Sequence, residues 1–137
     1  EPGMTSDERD SLATAVIGII EEPIFAALFG PGSVAEVSVA GALGDTVVAG
    51  QIDRLVVTPE AVLIVDYKTG RMASANVNET PVAYVRQLAA YRDVLSEIYP
   101  DRPISCALLW TDIPYLLELP RMLLDSHSPA MHGNHAA

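Results

Sequence analysis

The sequence predicts one mixed α/β domain, and three observations lead to this fold class. The chain has 137 residues and half of them are apolar, which is enough to bury one core of ordinary size. Two stretches have helical periodicity, and runs rich in β-branched residues lie between and after them. The predicted order is therefore α, β, β, β, α, β with a small extra strand.

The first predicted element is a helix near the start of the chain. The segment Thr5–Asp7 offers capping side chains. Apolar residues then recur at helical spacing until Pro23: Leu12, Val16, Ile19 and Ile20. A second short helical stretch, IFAALFG, should end at Gly30.

Three strand-like runs follow the predicted helices. The first alternates, the second is rich in β-branched residues, and the third is almost wholly apolar. Short separators between them predict an antiparallel meander. The three runs are SVAEVSVAG, TVVAGQIDRLVV and AVLIVDYK, and the polar loop TGRMASANVNE comes next.

A long helix is predicted from Pro81 to Tyr99, ended by Pro100. Its apolar stripe comprises Tyr84, Leu88, Tyr91, Leu95 and Ile98. RPISCALLWT is then typical of a buried strand, and YLLELP of a short edge strand. We expect the domain to span residues 1–125, and residues 126–137 to form a disordered tail.

Composition excludes several classes of protein. A single cysteine, Cys106, rules out an intrachain disulfide and a four-cysteine zinc or iron–sulfur site. In its apolar run we expect a small core side chain rather than a nucleophile, in a reducing cytoplasm. No apolar stretch is long enough to span a membrane. The net charge of −10 argues against a free-standing nucleic-acid binder, so such a role would need metal ions or attached domains.

The hairpin between the second and third strands predicts an opposed pair of aspartates. With its turn at Pro59 and Glu60, counting back along both strands places Asp53 opposite Asp66, with Cβ atoms about 5 Å apart. Like charges so placed destabilise a sheet unless a cation lies between them. Mg²⁺ or Mn²⁺ fits, since hard divalent ions prefer carboxylate oxygen.

Lys68 follows Asp66 by two residues, so its side chain leaves the same face of the strand about 7 Å along, while Tyr67 points the other way. The ammonium could orient an attacking water or stabilise charge on a phosphate, and a metal would lower the pKa of that water. The plain alternatives are a surface ion pair of little energetic value and, for Asp53, a solvated strand end.

Four further residues are candidates for the same site. Glu36 is either a member of the acidic cluster or an exposed residue on an edge strand. Gln87 and Tyr91 lie four apart on the long helix and share a face. Gln87 could hold the water or a phosphate, and Tyr91 could contact DNA, although core packing is its default. Gly70 lies in a turn whose backbone could approach a phosphate closely.

The tail carries three histidines, His127, His132 and His135, whose spacing could suggest a metal clip. A disordered tail is the simpler interpretation.

GQIDRLVV, VLIVDYKTG and YVRQLAAYRDVL together resemble the RecB-like branch of the PD-(D/E)XK nuclease superfamily, closest to the C-terminal nuclease domain of AddA-type helicase–nucleases. The family pattern is an Asp on one strand, D-x-K on the next and Q-x-x-x-Y on a following helix. The resemblance covers Val34 to Thr111. It implies a restriction-endonuclease-like mixed sheet with an α-β-β-β-α-β core, flanked by helices.

Carried over by position, the resemblance implies a set of site residues. Asp53, Asp66 and the backbone carbonyl of Tyr67 would bind metal. Lys68 would be catalytic, and Gln87 and Tyr91 match the Q-x-x-x-Y pair. Relatives often add a histidine from an N-terminal helix, and no histidine precedes His127 here. That ligand would lie upstream of Glu1, so we expect a fragment of a larger protein that could be inactive alone.

The activity implied is that of a Mg²⁺-dependent DNA exonuclease, with Mn²⁺ able to substitute. It would hydrolyse phosphodiester bonds of unwound DNA during double-strand-break repair in the bacterial cytoplasm. The implied partners are DNA, helicase domains of the same chain and an AddB-type subunit, with no membrane and no iron–sulfur cluster. The alternatives are a non-catalytic DNA-engaging or scaffolding domain of the same fold, and another PD-(D/E)XK enzyme such as a phage exonuclease.

Overall fold

The structure is a computed structural model that describes residues 28, 30–70, 72, 74–112 and 115–132. These residues form a five-stranded sheet in the order β1-β2-β3-β4-β5. The strands are β1 (Ser33–Leu43), β2 (Thr46–Val57), β3 (Val62–Lys68), β4 (Ile104–Trp110) and β5 (Tyr115–Leu119). The helices are α1 (Val82–Ile98), α2 (Arg121–Asp125) and α3 (Pro129–His132), with a 3₁₀ turn at Val77–Glu79.

The predicted meander is confirmed, since β1, β2 and β3 pair antiparallel. The turn between β2 and β3 is fixed by Thr58, whose backbone N–H donates to Ala61 O at 2.9 Å. The Thr58 hydroxyl oxygen also accepts from the Ala61 N–H at 3.1 Å, so both sides of the turn are closed. The resulting pairs, from Val57 with Val62 to Arg54 with Val65, have the predicted register.

Helix α1 carries the chain from the end of β3 back to the start of β4, which therefore pairs parallel to β3. The helix starts after Pro81 and ends at Ile98, and the N–H of the following cap residue, Tyr99, donates to Leu95 O at 2.8 Å. Strand β5 then returns antiparallel beside β4. The predicted helix and edge strand are thus confirmed, except that Ile98, predicted to be part of the apolar stripe, is 61% exposed.

The sheet buries apolar side chains on both faces. Helix α1 covers the larger cluster, in which its Leu88, Val94 and Leu95 join buried residues from every strand of the sheet. On the opposite face a smaller cluster surrounds Leu63 and Leu109. Burial on both faces explains why β3 and β4 are nearly continuous apolar runs rather than alternating ones.

The tail differs from the expectation in its first part. Ser128 is fully buried and donates to the buried carboxylate of Asp93 on α1. The short helices α2 and α3 pack against α1. Residues 126–132 are therefore held against α1 by a buried hydrogen bond that no local sequence pattern predicts. Residues 133–137 lie outside the described residues.

The predicted helices at the start of the chain lie outside the described residues, apart from Leu28 and Gly30. Across the part that is described, no helix is both long enough and apolar enough to cross a membrane.

Candidate functional site at the end of strand β3

Asp53 lies where the backbone pairing between β2 and β3 ends. The last regular pair is Arg54 with Val65, and the next position on each strand is an aspartate, Asp53 and Asp66. Asp53 Oδ2 accepts a hydrogen bond from the Tyr67 N–H at 2.7 Å, so a carboxylate takes the place of a ladder carbonyl. The two predicted aspartates are therefore neighbours across the hairpin.

The alternation of β2 changes phase beside Asp53. Ile52 and Leu55 both belong to the cluster under α1, although residues three apart on a regular strand face opposite sides. Continued from Leu55, the alternation would place Asp53 on the face of Asp66. Such interruptions re-aim side chains and occur next to functional sites.

Glu36 marks the same interruption on β1. The flanking pairs, Ala35 with Arg54 and Val37 with Ile52, place it opposite Asp53, yet it is absent from the regular ladder. Its φ of 57° lies in the left-handed region, which is uncommon for a residue other than glycine. The side chain is exposed. No three His, Cys, Asp or Glu residues in the described ranges cluster to hold one metal ion, so Glu36 does not complete a triad with the two aspartates.

Lys68 is held between an acid and an aromatic ring. Its Nζ lies 2.8 Å from Asp66 Oδ2 and 3.8 Å from the centroid of Tyr84 on α1. The side chains of Lys68 and Asp66 are 19% and 15% exposed, so both charges are largely removed from water. The predicted shared face is thus observed, and Tyr84, predicted only as core, joins the site. The sequence signal that could have predicted this contact is an aromatic residue near the start of the helix that follows the D-x-K motif.

Tyr67 points to the opposite face, as its position on the strand predicts. Its hydroxyl accepts a hydrogen bond from Arg54 Nε at 2.8 Å, and Arg54 Nη1 donates to Ser33 Oγ at 2.7 Å. Arg54 is buried, with 7% exposure. This polar link ties β1, β2 and β3 together directly behind the two aspartates.

Gln87 and Tyr91 are joined as their spacing on the helix predicts, but they occupy different environments. Gln87 is exposed and donates from Nε2 to the Tyr91 hydroxyl at 3.3 Å. Tyr91 is only 6% exposed, and its hydroxyl packs on the backbone of Gly50. A Cβ at position 50 would lie 2.1 Å from that oxygen. Tyr91 therefore packs in the core, which is its default interpretation, and supports Gln87, while its predicted contact with DNA stays a prediction.

The backbone is fixed at Lys68 by a hydrogen bond, and two residues later, at Gly70, it borders open space. Thr111 donates to Lys68 O from its backbone N–H at 3.1 Å, which fixes the end of β3 against the end of β4. Gly70 has a φ of 79°, and nothing lies within 4 Å of where a Cβ would be. The predicted close approach of a phosphate at Gly70 is compatible with this open space, and it stays a prediction.

The donor atoms at this end of β3 suit a hard divalent cation. Asp66 Oδ2 is buried and accepts a hydrogen bond from no described residue, and the 2.8 Å contact with Lys68 is an ion pair without hydrogen-bond geometry. Two neighbouring carboxylates offer the oxygen ligands that Mg²⁺ prefers, and Mg²⁺ keeps several waters. The residues present therefore fit a metal ion held by Asp53 and Asp66.

Two other predictions concern potential ligands or nucleophiles. Cys106 is fully buried in the core, and its thiol lies 3.6 Å from Leu88 O. Burial raises its pKa from 9.0 to about 12, which suits a core side chain rather than a nucleophile. His127 contacts Leu123 O at 3.2 Å through Nδ1, and the side chains of the other two histidines lie outside the described residues.

The comparisons with known proteins include a family match that covers most of the chain. A crystal structure described as that of "SSO0001" matches with a TM-score of 0.44 and 14% identity, over 95% of this chain and 69% of the other. No curated protein matches the chain. The sequence model of the PD-(D/E)XK nuclease superfamily matches residues 4–116, which is most of the chain. The chain therefore belongs to the PD-(D/E)XK nuclease superfamily.

Proposed function

We propose that the chain is the metal-dependent nuclease domain of an AddA-type helicase–nuclease, and that it hydrolyses phosphodiester bonds of unwound DNA. The observation that carries the proposal is the grouping of Asp53, Asp66 and Lys68 at the end of β3. Membership of a nuclease superfamily supports the same chemistry. The AddA-type context rests on the sequence resemblance alone.

Asp53 and Asp66 would hold a divalent ion, Mg²⁺ in the cell, together with the predicted carbonyl of Tyr67. When bound, the ion supplies polarisation of the phosphodiester and a lower pKa for the attacking water. The phase change in β2 and the Tyr67 N–H fix the Asp53 carboxylate before any ion arrives. Such pre-organisation lowers the cost of assembling the site.

Lys68 would act on the phosphate. Its ammonium is kept at the site by Asp66 on one side and the Tyr84 ring on the other. A fixed cation in a poorly hydrated site stabilises negative charge that develops on phosphate oxygens during hydrolysis. Gln87, on the exposed surface of α1, would orient the attacking water or a phosphate oxygen by hydrogen bonding.

The sharpest test compares DNA cleavage by the parent protein and by Lys68→Ala in the presence of Mg²⁺. We expect kcat to fall by about 10²–10³-fold, as when one transition-state charge donor is removed. The matched control is Arg86→Ala, which removes an exposed cation of α1 and should leave cleavage unchanged. Cleavage by Lys68→Ala at the parent rate would overturn the catalytic assignment.

Metal binding is tested separately by calorimetric titration of Mn²⁺ into the parent, Asp53→Ala and Asp66→Ala. We expect binding in the parent and its loss in both variants. Metal binding and DNA binding without cleavage in the parent would favour the non-catalytic DNA-engaging domain. Helicase motifs encoded directly upstream of this segment would support the AddA-type context, and an unrelated upstream sequence would contradict it.

A further inference from the structure

A second polar site lies at the other end of the sheet. A pocket of about 240 Å³ opens between the second half of α1, the start of β4 and the helices α2 and α3. Three arginines line it: Arg92, Arg102 and Arg121. The whole chain has only eight Lys and Arg against 18 Asp and Glu, so this grouping of cations departs from the charge of the molecule.

One of the three arginines is fully used by the fold. Arg92 Nη1 lies 2.8 Å from Asp125 Oδ1, and its Nη2 lies 3.2 Å from Asp93 Oδ1. The other oxygen of Asp93 accepts from the Ser128 hydroxyl and from the Ala130 N–H at 3.0 Å. Asp93, the acid that lines the pocket, thus has its charge neutralised by Arg92 and both of its oxygens hydrogen-bonded.

The other two arginines keep donors in reserve. Arg102 Nη1 donates to Thr58 O at 2.9 Å, and its buried Nε forms an ion pair with Asp101 Oδ1 at 3.4 Å, whereas its Nη2 donates a hydrogen bond to no described residue. Asp101 is 70% exposed, which makes it a weak competitor for the guanidinium in water. Arg121 is exposed, and its side chain has no ion pair or hydrogen bond within the described ranges.

We propose that this pocket binds a phosphate group, held by Arg102 and Arg121. Guanidinium groups present paired N–H donors that match phosphate oxygens, and two of them complement its charge. The pocket volume accommodates a phosphate with part of a nucleotide, not a large organic ligand. The phosphate could come from a free nucleotide or from a nucleic-acid strand.

The pocket is distinct from the candidate nuclease site. Strands β3 and β4 run parallel, with Val62 beside Ile104 at the pocket end and Lys68 beside Trp110 at the other. The six residue steps from Ile104 to Trp110 span about 20 Å. Binding at the pocket requires neither the aspartates nor a divalent ion, so this proposal stands or falls apart from the nuclease proposal.

The test is calorimetric titration of the 137-residue chain at low salt, without divalent ions. The probes are inorganic phosphate, a nucleoside monophosphate, and a short oligonucleotide with and without a terminal phosphate. We expect binding in the parent that Arg121→Ala weakens about tenfold, the scale of one charge-assisted hydrogen-bonding partner. Arg121 has no partner in the described fold, so its removal should not affect folding.

Two matched variants make the test sharper. Asp101→Asn removes the competing acid and should tighten binding, whereas Arg86→Ala removes an exposed cation outside the pocket and should change nothing. If the probes with a terminal phosphate bind and the oligonucleotide without one does not, the ligand is a free or terminal phosphate. If the two oligonucleotides bind equally, the ligand is a phosphate of the strand backbone. No binding in the parent, or equal affinity in Arg121→Ala, would overturn the proposal.

Discussion

Two aspartates of this molecule, Asp66 and Asp93, are each paired with a cation, yet their surroundings differ. Asp93 is 7% exposed, and both of its oxygens accept hydrogen bonds, from Arg92, Ser128 and Ala130. Asp66 is 15% exposed, and its buried Oδ2 accepts a hydrogen bond from no described residue. Both oxygens of Asp93 are thus hydrogen-bonded by the fold, whereas Asp66 Oδ2 is held, within the described part of the chain, only by its ion pair with Lys68.

The difference is that between an acid whose oxygens are used by the fold and an acid whose surroundings suit a bound cation. Breaking a buried, hydrogen-bonded ion pair is costly because the remaining charge is left without compensation. A carboxylate that neighbours another carboxylate gains little from the fold and most from a cation. Asp93 therefore docks Ser128 and α3 onto α1, and Asp66 is suited to hold a metal ion.

The largest expected difference is in protein stability, when Asp93 and Asp66 are each replaced by asparagine. Asp93→Asn should lower the free energy of unfolding by about 3–5 kcal/mol, because a buried ion-paired network loses its charge. Asp66→Asn should change stability by less than about 1 kcal/mol, since repulsion from Asp53 is relieved as the contact with Lys68 is lost. Urea unfolding of both variants measures this difference.

Cleavage assays complete that comparison. Asp66→Asn should retain the fold and lose Mg²⁺-dependent cleavage. Equal destabilisation by the two substitutions would mean that Asp66, like Asp93, is a structural acid.

A second, smaller effect on stability tests the contact between the Tyr91 hydroxyl and Gly50, which lies below Gln87 of the candidate site. Gly50→Ala places a methyl group where the Tyr91 hydroxyl lies, and should cost about 1–3 kcal/mol of stability through overpacking. Removing that hydroxyl with Tyr91→Phe should relieve much of the clash. Thermal unfolding of the two single variants and the double variant gives the coupling between the positions, and additive losses would contradict the proposed contact.

The smallest effect concerns the ring that contacts Lys68. Tyr84→Leu removes the cation–π contact and should reduce kcat about fivefold to tenfold, a loss of about 1 kcal/mol, with little change in KM. Tyr84→Phe keeps the ring and should cleave at nearly the parent rate. Steady-state kinetics on one DNA substrate decide the point. Equal losses in both variants would assign the effect to the hydroxyl instead of the ring.

Much of the candidate site was accessible from local sequence rules. The two-residue period of a strand puts Asp66 and Lys68 on one face, and the turn at Pro59 and Glu60 sets the register that brings Asp53 beside Asp66. Helical spacing joins Gln87 to Tyr91. These rules act over a few residues or across one tight hairpin, where chain connectivity fixes geometry.

Other features depend on contacts between distant parts of the chain. The burial of Tyr91 needs Gly50 on another element, and the Lys68 contact needs α1 to cross over β3. Ser128 becomes a core residue only because Asp93 binds it, which is why residues 126–132 were expected to be disordered. None of these contacts has a local periodicity.

The sequence by itself determined the element types, the β2–β3 register and the shared face of Asp66 and Lys68, because these follow from backbone periodicity and turn chemistry. Only the tertiary structure decided the phase change at Asp53, the saturation of Asp93 and the arginine pocket. Those features arise where strands and helices meet, and their energies depend on which polar atoms find partners after packing.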